Sequence, residues 1–159
     1  MQLPLPRIAP TLKTFLDQAC YDETITRLRT LRPETRPLWG HFTAPRMIVH
    51  LVDQMRMTLG DLQVPPRSGP LRWPIVKPAM MFWIPWPKGR IKAPPEMFTT
   101  QPANWNTDLA TLESLVARFV GESARVDWPD HAYFGRMDRL LRGRFCHRHF
   151  DHHLRQFGV

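Results

Sequence analysis

Two histidines stand one helical turn apart near the end of the chain, at His149 and His153. Residues four positions apart lie one above the other on a helix, with Cβ atoms about 6 Å apart, so both imidazoles can reach one metal ion at the usual distance of about 2.1 Å. The pair also continues an apolar row that begins at Leu141 and Phe145. Because an apolar row faces the interior, we predict that both rings point at the core.

A third histidine, His50, flanks the apolar stripe of an earlier helical segment. If the two helices face each other, three imidazoles come together. Three neutral nitrogen ligands suit zinc or nickel and leave one coordination position open for water or substrate. An ion in such an open site activates water or polarises a substrate oxygen or sulfur. The sequence therefore predicts a metal centre at His50, His149 and His153; the alternatives are a closed ion that only clips the helices together, or no ion.

The remaining histidines are weaker candidates. His152 adjoins the row of expected ligands. We expect it to contact a ligand ring, a substrate or another subunit. His41 and His131 each precede a helix and could approach the same end of the bundle, which spacing alone does not establish. His147 lies on another side of its helix and is expected to be exposed. Three polar residues could orient the ligand rings by hydrogen bonds, although most such residues are solvated: Asp53, Asp151 and Gln156.

Apolar residues recur at intervals of three and four in four stretches, which predicts four helices. The expected bounds are Pro10 to Leu31, with a break near residues 20–22; Thr43, as N-cap, to Gly60; Asn106 or Thr107, as N-cap, to Gly121; and about Met137 to Phe157. No strand-like alternation with turn signals occurs. The predicted fold class is therefore all-α, a bundle in which inward side chains of facing helices build metal sites.

Residues 61–102 interrupt this helical pattern, because they hold most of the 17 prolines. A connection of this length is expected to form an ordered cover or a short helix around Trp73 to Phe82. Its run from Ala79 to Trp86 is too apolar to face water alone. Trp83 and Trp86 therefore belong to a core or subunit contact or, in the sharper interpretation, to the wall or lid of a substrate pocket.

The composition narrows the class of protein. A chain of 159 residues, 43% of them apolar, has the size of a single domain spanning residues 1–159. Two distant cysteines, Cys20 and Cys146, make no disulfide framework and favour a reducing, cytoplasmic location. The N-terminus lacks a secretory pattern, and no apolar run approaches the about 20 residues of a membrane span.

The formal net charge of +8 suits a partner that carries carboxylate or phosphate groups. The excess consists mostly of arginines spread along the chain, without zinc-finger spacing or an aromatic RNA-binding motif. We therefore expect these arginines to lie on solvated helix faces or to attract a small anionic substrate. Nucleic-acid binding is the less favoured interpretation.

Several motifs over nearly the whole chain carry a family resemblance. They are Trp39-Gly40, the stretch Thr43 to Leu51 with His50, Pro-Trp-Pro-Lys-Gly from Pro85 to Gly89, Trp-Pro-x-His-x-x-Phe-Gly from Trp128 to Gly135, and His-x-x-His-His-Leu-x-Gln-Phe-Gly from His149 to Gly158. Together they resemble one branch of the DinB-like superfamily, also called the DinB/YfiT-like metal-dependent hydrolases.

The resemblance implies a four-helix bundle with a long proline-rich crossover between its second and third helices. It implies a divalent ion on His50, His149 and His153, and a homodimer. It further implies hydrolysis of a small substrate, or transfer to a low-molecular-weight thiol that acts as a cofactor, with water or a thiolate activated by the ion. The rival hypothesis is a helical binding or structural protein that metal merely stabilises.

Overall fold

The structure, a computed structural model, describes residues 12–89 and 93–159, and the regular elements in these ranges are helices. The helices are α1 (Gln18–Thr30), α2 (Ala44–Leu59), α3 (Val76–Phe82), α4 (Trp105–Gly121) and α5 (Arg139–Gln156). Short 3-10 turns lie at Pro70–Arg72 and Pro95–Phe98. In the described ranges the β-structure is limited to one bridge between His131 and Gly135. The all-α prediction is confirmed, whereas the four-helix bundle of the DinB-like type stays a prediction.

Helix α2 lies at the centre of the molecule, packed mainly on α4 along its length and on α5 at the site described below. Its ends agree with the prediction. The Thr43 hydroxyl accepts a hydrogen bond from the backbone N–H of Arg46, and Pro45 occupies the first turn. Gly60 ends the helix with a φ of 93°, in the left-handed region that glycine enters without strain. These local signals fix where α2 begins and ends, and His50 lies on its buried side.

The prediction for the first helix is wrong at its start. Pro10 lies outside the described residues, and α1 begins only after Asp17, whose carboxylate accepts the N–H of Cys20 at 3.0 Å. The helix then runs through residues 20–22 without the expected break. Phe15 is nevertheless fully buried, because the segment before α1 packs on α5, where the Phe15 N–H donates to the Gly143 carbonyl at 3.3 Å. The apolar residues of this segment therefore reflect tertiary burial and not helix.

The third and fourth predicted helices correspond to α4 and α5, with small corrections. Asn104, not Asn106 or Thr107, caps α4, since its side-chain oxygen accepts the Thr107 N–H at 3.1 Å. Gly121 is its last helical residue, as predicted. Asp138 caps α5 through the Leu141 N–H at 2.8 Å, which starts the helix slightly later than Met137.

The proline-rich connection is ordered where the structure describes it. The short helix expected around Trp73 to Phe82 is confirmed as α3. Two arginines of α5 fasten the end of α3: Arg148 donates to the carbonyls of Met81 at 3.0 Å and Ile84 at 2.8 Å, and Arg144 donates to the Met81 carbonyl at 3.2 Å. The segment therefore covers one side of α5.

The core fills the space between α2 and the helices around it. Its largest fully buried side chains include Phe15, Leu28, Ile48, Met55, Leu112, Phe119 and Phe150. Cys20 and Cys146 are both free thiols, which agrees with the prediction that they form no disulfide. None of the helices in the two described ranges combines the length and the apolarity that a bilayer crossing requires.

Candidate metal centre

The packing of α2 against α5 brings three imidazoles together. The Nε2 atom of His149 lies 3.3 Å from Nε2 of His50 and 3.1 Å from Nε2 of His153. A coordinating nitrogen from each of the three rings lies within 4.8 Å of the other two. The histidine pair of α5 and the single histidine of α2 thus meet as the sequence predicted, and the three-histidine cluster could hold a metal ion.

Hydrogen bonds on the far side of two rings determine which nitrogens face the centre. Nδ1 of His50 lies 3.2 Å from the carbonyl oxygen of Met97. Nδ1 of His153 lies 2.9 Å from the side-chain oxygen of Gln156, whose amide nitrogen donates to the Trp39 carbonyl at 2.8 Å. Because these oxygens can only accept, both Nδ1 atoms carry the proton. The Nε2 atoms of His50 and His153 therefore present lone pairs to the centre.

The third ring cannot satisfy both of these lone pairs. An Nε2–H on His149 could donate to His50 or to His153, which would leave one buried acceptor facing it without a proton. A divalent cation accepts all three lone pairs at once. Nitrogens at about 2.1 Å from an ion in tetrahedral arrangement are about 3.4 Å apart, close to both separations given above. The donor set therefore fits a divalent metal ion.

Burial keeps the three rings neutral at physiological pH. It lowers the pKa of His50 to about 4 and the pKa of His153 to about 3, because charging an imidazole without solvent is unfavourable. Burial and the neighbouring imidazoles, His153 first, lower the pKa of His149 well below its usual value of 6.5. Neutral imidazole is the form that binds metal, so no deprotonation has to precede binding.

Asp53 was predicted as a ring orienter and is not one. Its buried carboxylate accepts hydrogen bonds from the Thr99 hydroxyl and from the hydroxyl and N–H of Thr100. Arg46 binds the same stretch through the carbonyls of Phe98 and Thr100. The two α2 residues thereby fix the turn that carries Met97, so their effect on His50 is indirect.

Asp151 is also wrong as a ring orienter, whereas Gln156 contacts His153 as predicted. Asp151 forms ion pairs with Arg27 at 2.8 Å and with Arg155 at 2.9 Å, on a different side of α5. The Met97 carbonyl orients the ring of His50. The sequence does not predict this contact, because every residue has a backbone carbonyl.

A cavity of about 280 Å³ opens directly against the three rings. Its size is at the lower end of the range for small-molecule sites. Its walls are mainly apolar and aromatic, including Phe42, Met80, Trp86, Met97, Phe98, Phe134 and Phe145. The ring of Phe98 stacks on His50 with centroids 5.2 Å apart, and Phe42 lies 5.6 Å from His153. The three-histidine centre therefore faces a small space with mostly apolar walls.

His131 adds a polar atom to the wall of this cavity. Its Nδ1 accepts hydrogen bonds from the backbone N–H groups of Tyr133 at 3.1 Å and Phe134 at 3.3 Å. Burial, followed by the positive charge of Arg142, lowers its pKa to about 3. A neutral ring with an accepting Nδ1 carries its proton on Nε2, so His131 is a fixed neutral donor.

The other predicted residues divide between the cavity and the surface. His152 and Trp86 line the cavity, as does the exposed His41. Trp83 is wrong as a pocket wall, because its side chain is 74% exposed and lies outside the residues that line the cavity.

The expectation that His147 is exposed is also wrong. Only 3% of the residue is accessible, because Phe15 packs edge-on against its ring with centroids 5.8 Å apart. The segment before α1 covers this side of α5, which helical spacing within α5 could not reveal.

The Trp39-Gly40 pair has a role that its spacing did not disclose. Gly40 has a φ of 79°, and a Cβ atom at this position would lie 2.6 Å from the amide nitrogen of Gln156. A side chain here would therefore both strain the backbone and displace the residue that orients His153. Among the described glycines with positive φ, only Gly40 would place a Cβ atom against Gln156.

Comparison of the chain with protein-family models, with curated proteins and with solved structures gave no match.

Proposed function

We propose that this chain is a DinB-like metal-dependent enzyme that acts on a small substrate, as a hydrolase or as a thiol transferase. His50, His149 and His153 hold the ion, zinc or nickel. The observation that carries the proposal is the convergence of Nε2 atoms at 3.1 and 3.3 Å while the Nδ1 atoms of two rings are occupied by acceptors. That arrangement favours a cation over a hydrogen-bonded histidine cluster.

The cavity favours an enzyme over a structural metal protein. Structural zinc sites are closed by four protein ligands, whereas catalytic sites keep a position for water or substrate. Over residues 12–89 and 93–159, the only metal-binding group of side chains consists of these three histidines, and all three line the cavity. The vacant coordination direction therefore faces a space in which a substrate fits.

The residues around the centre have separable roles. A divalent ion bound there supplies Lewis acidity towards water, a thiol or a substrate oxygen. The Nε2–H of His131 donates a hydrogen bond to an oxygen of the substrate, and burial keeps that proton in place over the physiological pH range. Phe42 and Phe98 exclude water from the rings of the ligands.

A two-arm activity screen separates the reaction classes. One arm measures hydrolysis of 4-nitrophenyl esters, and the other measures conjugation of 1-chloro-2,4-dinitrobenzene with cysteine, glutathione or coenzyme A. We expect one arm to respond to added zinc or nickel in the wild-type protein and in Cys146→Ala, and to be lost in His50→Ala. Activity that is equal in His50→Ala and wild type would contradict the proposed role of the centre.

The rival role as a metal-stabilised structural protein makes a different prediction. An ion that holds the fold contributes folding free energy, so its removal lowers the melting temperature strongly. Away from the centre, α2 packs through fully buried apolar side chains such as Leu51 and Met55, which do not need a metal to pack. We therefore expect the chelated protein to remain folded at room temperature, with a circular dichroism spectrum like that of the loaded protein.

The homodimer and the cytoplasmic location stay predictions. Sedimentation equilibrium of the loaded protein checks the first, and fractionation of the source cells checks the second.

A further inference from the structure

A second concave region lies on the other side of the wall that bounds the metal cavity. This basic groove, of about 600 Å³, runs between the outer face of α5 and the end of the proline-rich segment. Five cationic side chains line it, Lys13, Lys88, Arg144, Arg148 and Arg155, against one carboxylate, Asp151, in the described part of the chain. Lys13 pairs with Glu23 and Arg155 pairs with Asp151, each at 2.9 Å, which leaves three cations of the groove without an ion pair in the described residues: Lys88, Arg144 and Arg148.

The only carboxylate on the groove is already neutralised. Asp151 pairs with Arg27 at 2.8 Å and with Arg155 at 2.9 Å. Arg144 and Arg148 form no ion pair within the described residues and donate instead to backbone carbonyls, which hold them in place without cancelling their charge. Partial burial lowers the pKa of both guanidinium groups. Two ordered guanidinium groups therefore lack an anion.

His147 borders the groove as a buried polar side chain without a hydrogen-bond partner in the described residues. Only 3% of the residue is accessible. Buried polar atoms are normally satisfied by protein or by a bound group. Both ring nitrogens are closed off from the groove, so a ligand there contacts the lining cations and not the ring N–H.

The groove and the metal cavity share a wall. Trp39, Trp86 and His152 line both spaces. The Lys88 ammonium lies 4.4 Å from the centroid of the Trp39 ring, and the Arg148 guanidinium lies 5.7 Å from that of Trp86. The two spaces therefore adjoin each other, and a small molecule that reaches around the shared side chains has one end among these cations and the other beside the three histidines.

We propose that the basic groove binds the carboxylate or phosphate group of a small anionic substrate whose reacting end enters the metal cavity. The position of the reacting end rests on the proposed function, but anion binding itself needs only the groove. Guanidinium groups pair with carboxylate and phosphate oxygens through parallel N–H donors, which suits this chemistry. A volume of about 600 Å³ is that of a small-molecule site and does not accommodate a duplex.

Binding is measured by the fluorescence of two anionic probes, 2-naphthyl phosphate and 2-naphthoate, at physiological ionic strength. Uncharged 2-naphthol is the matched control. We expect saturable binding of both anions to the loaded wild-type protein and binding of 2-naphthol that is weaker by about tenfold or more, since the charge-assisted hydrogen bonds are lost. Equal affinity for the phosphate and 2-naphthol would overturn the proposal.

Charge-removing variants locate the bound anion. Lys88→Gln and Arg148→Gln should each weaken binding of 2-naphthyl phosphate by about tenfold. Arg139→Gln is the matched control, because it removes the same charge from an exposed position of the same helix and should change the affinity by less than about twofold. Within the described residues Lys88 has no hydrogen bond or ion pair and lies over the face of Trp39, so its variant tests the groove even if Arg148→Gln disturbs the fold. Equal losses in all three variants would reduce the effect to overall charge and overturn the proposal.

His50→Ala separates this proposal from the proposed function. It should lose the metal and keep its affinity for 2-naphthyl phosphate, since the groove does not contain His50. Metal binding without saturable anion binding would overturn the groove and leave the metal centre standing. Displacement of the probe by a short DNA duplex would assign the groove to nucleic acid and also overturn the proposal.

Discussion

Helices α2 and α5 meet at two buried polar clusters that behave differently. At the histidine cluster, formed by His50, His149 and His153, lone pairs face each other and a cavity opens beside them. At the thiol cluster, formed by Gln54, Thr58 and Cys146, the polar side chains bond to one another: the Gln54 amide donates to the Thr58 hydroxyl at 2.7 Å and to the Cys146 sulfur at 3.7 Å.

The comparison teaches that buried polarity alone does not mark a functional site. Burial raises the pKa of the Cys146 thiol to about 11, so the thiol cluster holds only neutral groups, and its members line neither the metal cavity nor the basic groove. Only the carbonyl oxygen of Gln54 lacks a partner there among the described residues. What distinguishes the histidine cluster is the combination of converging acceptors and adjacent space, and matched substitutions in the two clusters test that difference.

Loss of a ligand should have the largest effect. In His50→Ala we expect the affinity for zinc to fall by roughly a thousandfold, since one of three ligands carries about a third of a binding free energy of about 10–16 kcal/mol. Cys146→Ala, the counterpart in the thiol cluster, should bind zinc like wild type and lose only about 1 kcal/mol of stability. Competition with a chromophoric chelator measures both affinities; similar losses in the two variants would remove the distinction between the clusters.

Loss of a residue that orients a ligand ring should have the second-largest effect on zinc affinity. Gln156→Leu removes the acceptor that holds the proton on Nδ1 of His153, and we expect zinc affinity to fall by about 10–100-fold. Gln54→Leu makes the same chemical change in the thiol cluster and should leave zinc affinity within about twofold of wild type. An unchanged affinity in Gln156→Leu would mean that packing alone orients the ring.

Gly40→Ala should show a smaller effect of the same kind. The added methyl would lie 2.6 Å from the Gln156 amide nitrogen, so Gln156 must shift and its hydrogen bond to His153 weakens. We expect zinc affinity to fall by about tenfold, at the lower end of the range for outer-shell changes. Gly60→Ala is the control, since it also has positive φ but meets only Pro129, and it should reduce stability without changing zinc affinity.

These expectations show which parts of the site were accessible to sequence reasoning. The register of α2 followed from Thr43, Pro45 and Gly60, because caps act through neighbours in the chain. The spacing of His149 and His153 placed both rings on one face for the same reason. Local rules thus predicted the ligand cluster, although the ion on it remains a proposal.

Features that depend on packing between distant segments were not predictable in this way. His147 was expected at the surface, but Phe15 covers it from another segment. Trp83 and Trp86 belong to the same apolar run, and only the fold decides that the first points outward and the second lines the cavity. The start of α1 failed for the same reason, since Phe15 is buried in the core without being helical.

The smallest expected effect is a difference in pH sensitivity between the two regions. His131, in the cavity wall, has its pKa lowered from 6.5 to about 3 in the folded chain, so the unfolded chain binds protons first and stability falls as the pH drops from about 6.5 towards 3. Cys146 has its pKa raised from 9.0 to about 11, so its contribution is complete below pH 9 and is lost as the pH rises towards 11.

Two variants separate the acid limb of the stability profile, which involves His131, from the alkaline limb, which involves Cys146. His131→Asn keeps a side-chain acceptor for the N–H groups of Tyr133 and Phe134 and removes one titrating ring, so it should make the acid limb less steep without changing the alkaline limb. Cys146→Ala should flatten the alkaline limb alone. Urea midpoints recorded across the pH range check both, and a variant that alters the opposite limb would contradict the assignment.

Metal content tests the histidine cluster most directly. The protein is purified without a histidine tag, incubated with zinc or nickel, dialysed and analysed by inductively coupled plasma mass spectrometry beside His50→Ala. The single three-histidine cluster predicts one ion per chain in wild type and a near-complete loss in the variant. A wild-type content below about a tenth of an equivalent, unchanged in His50→Ala, would contradict the metal centre.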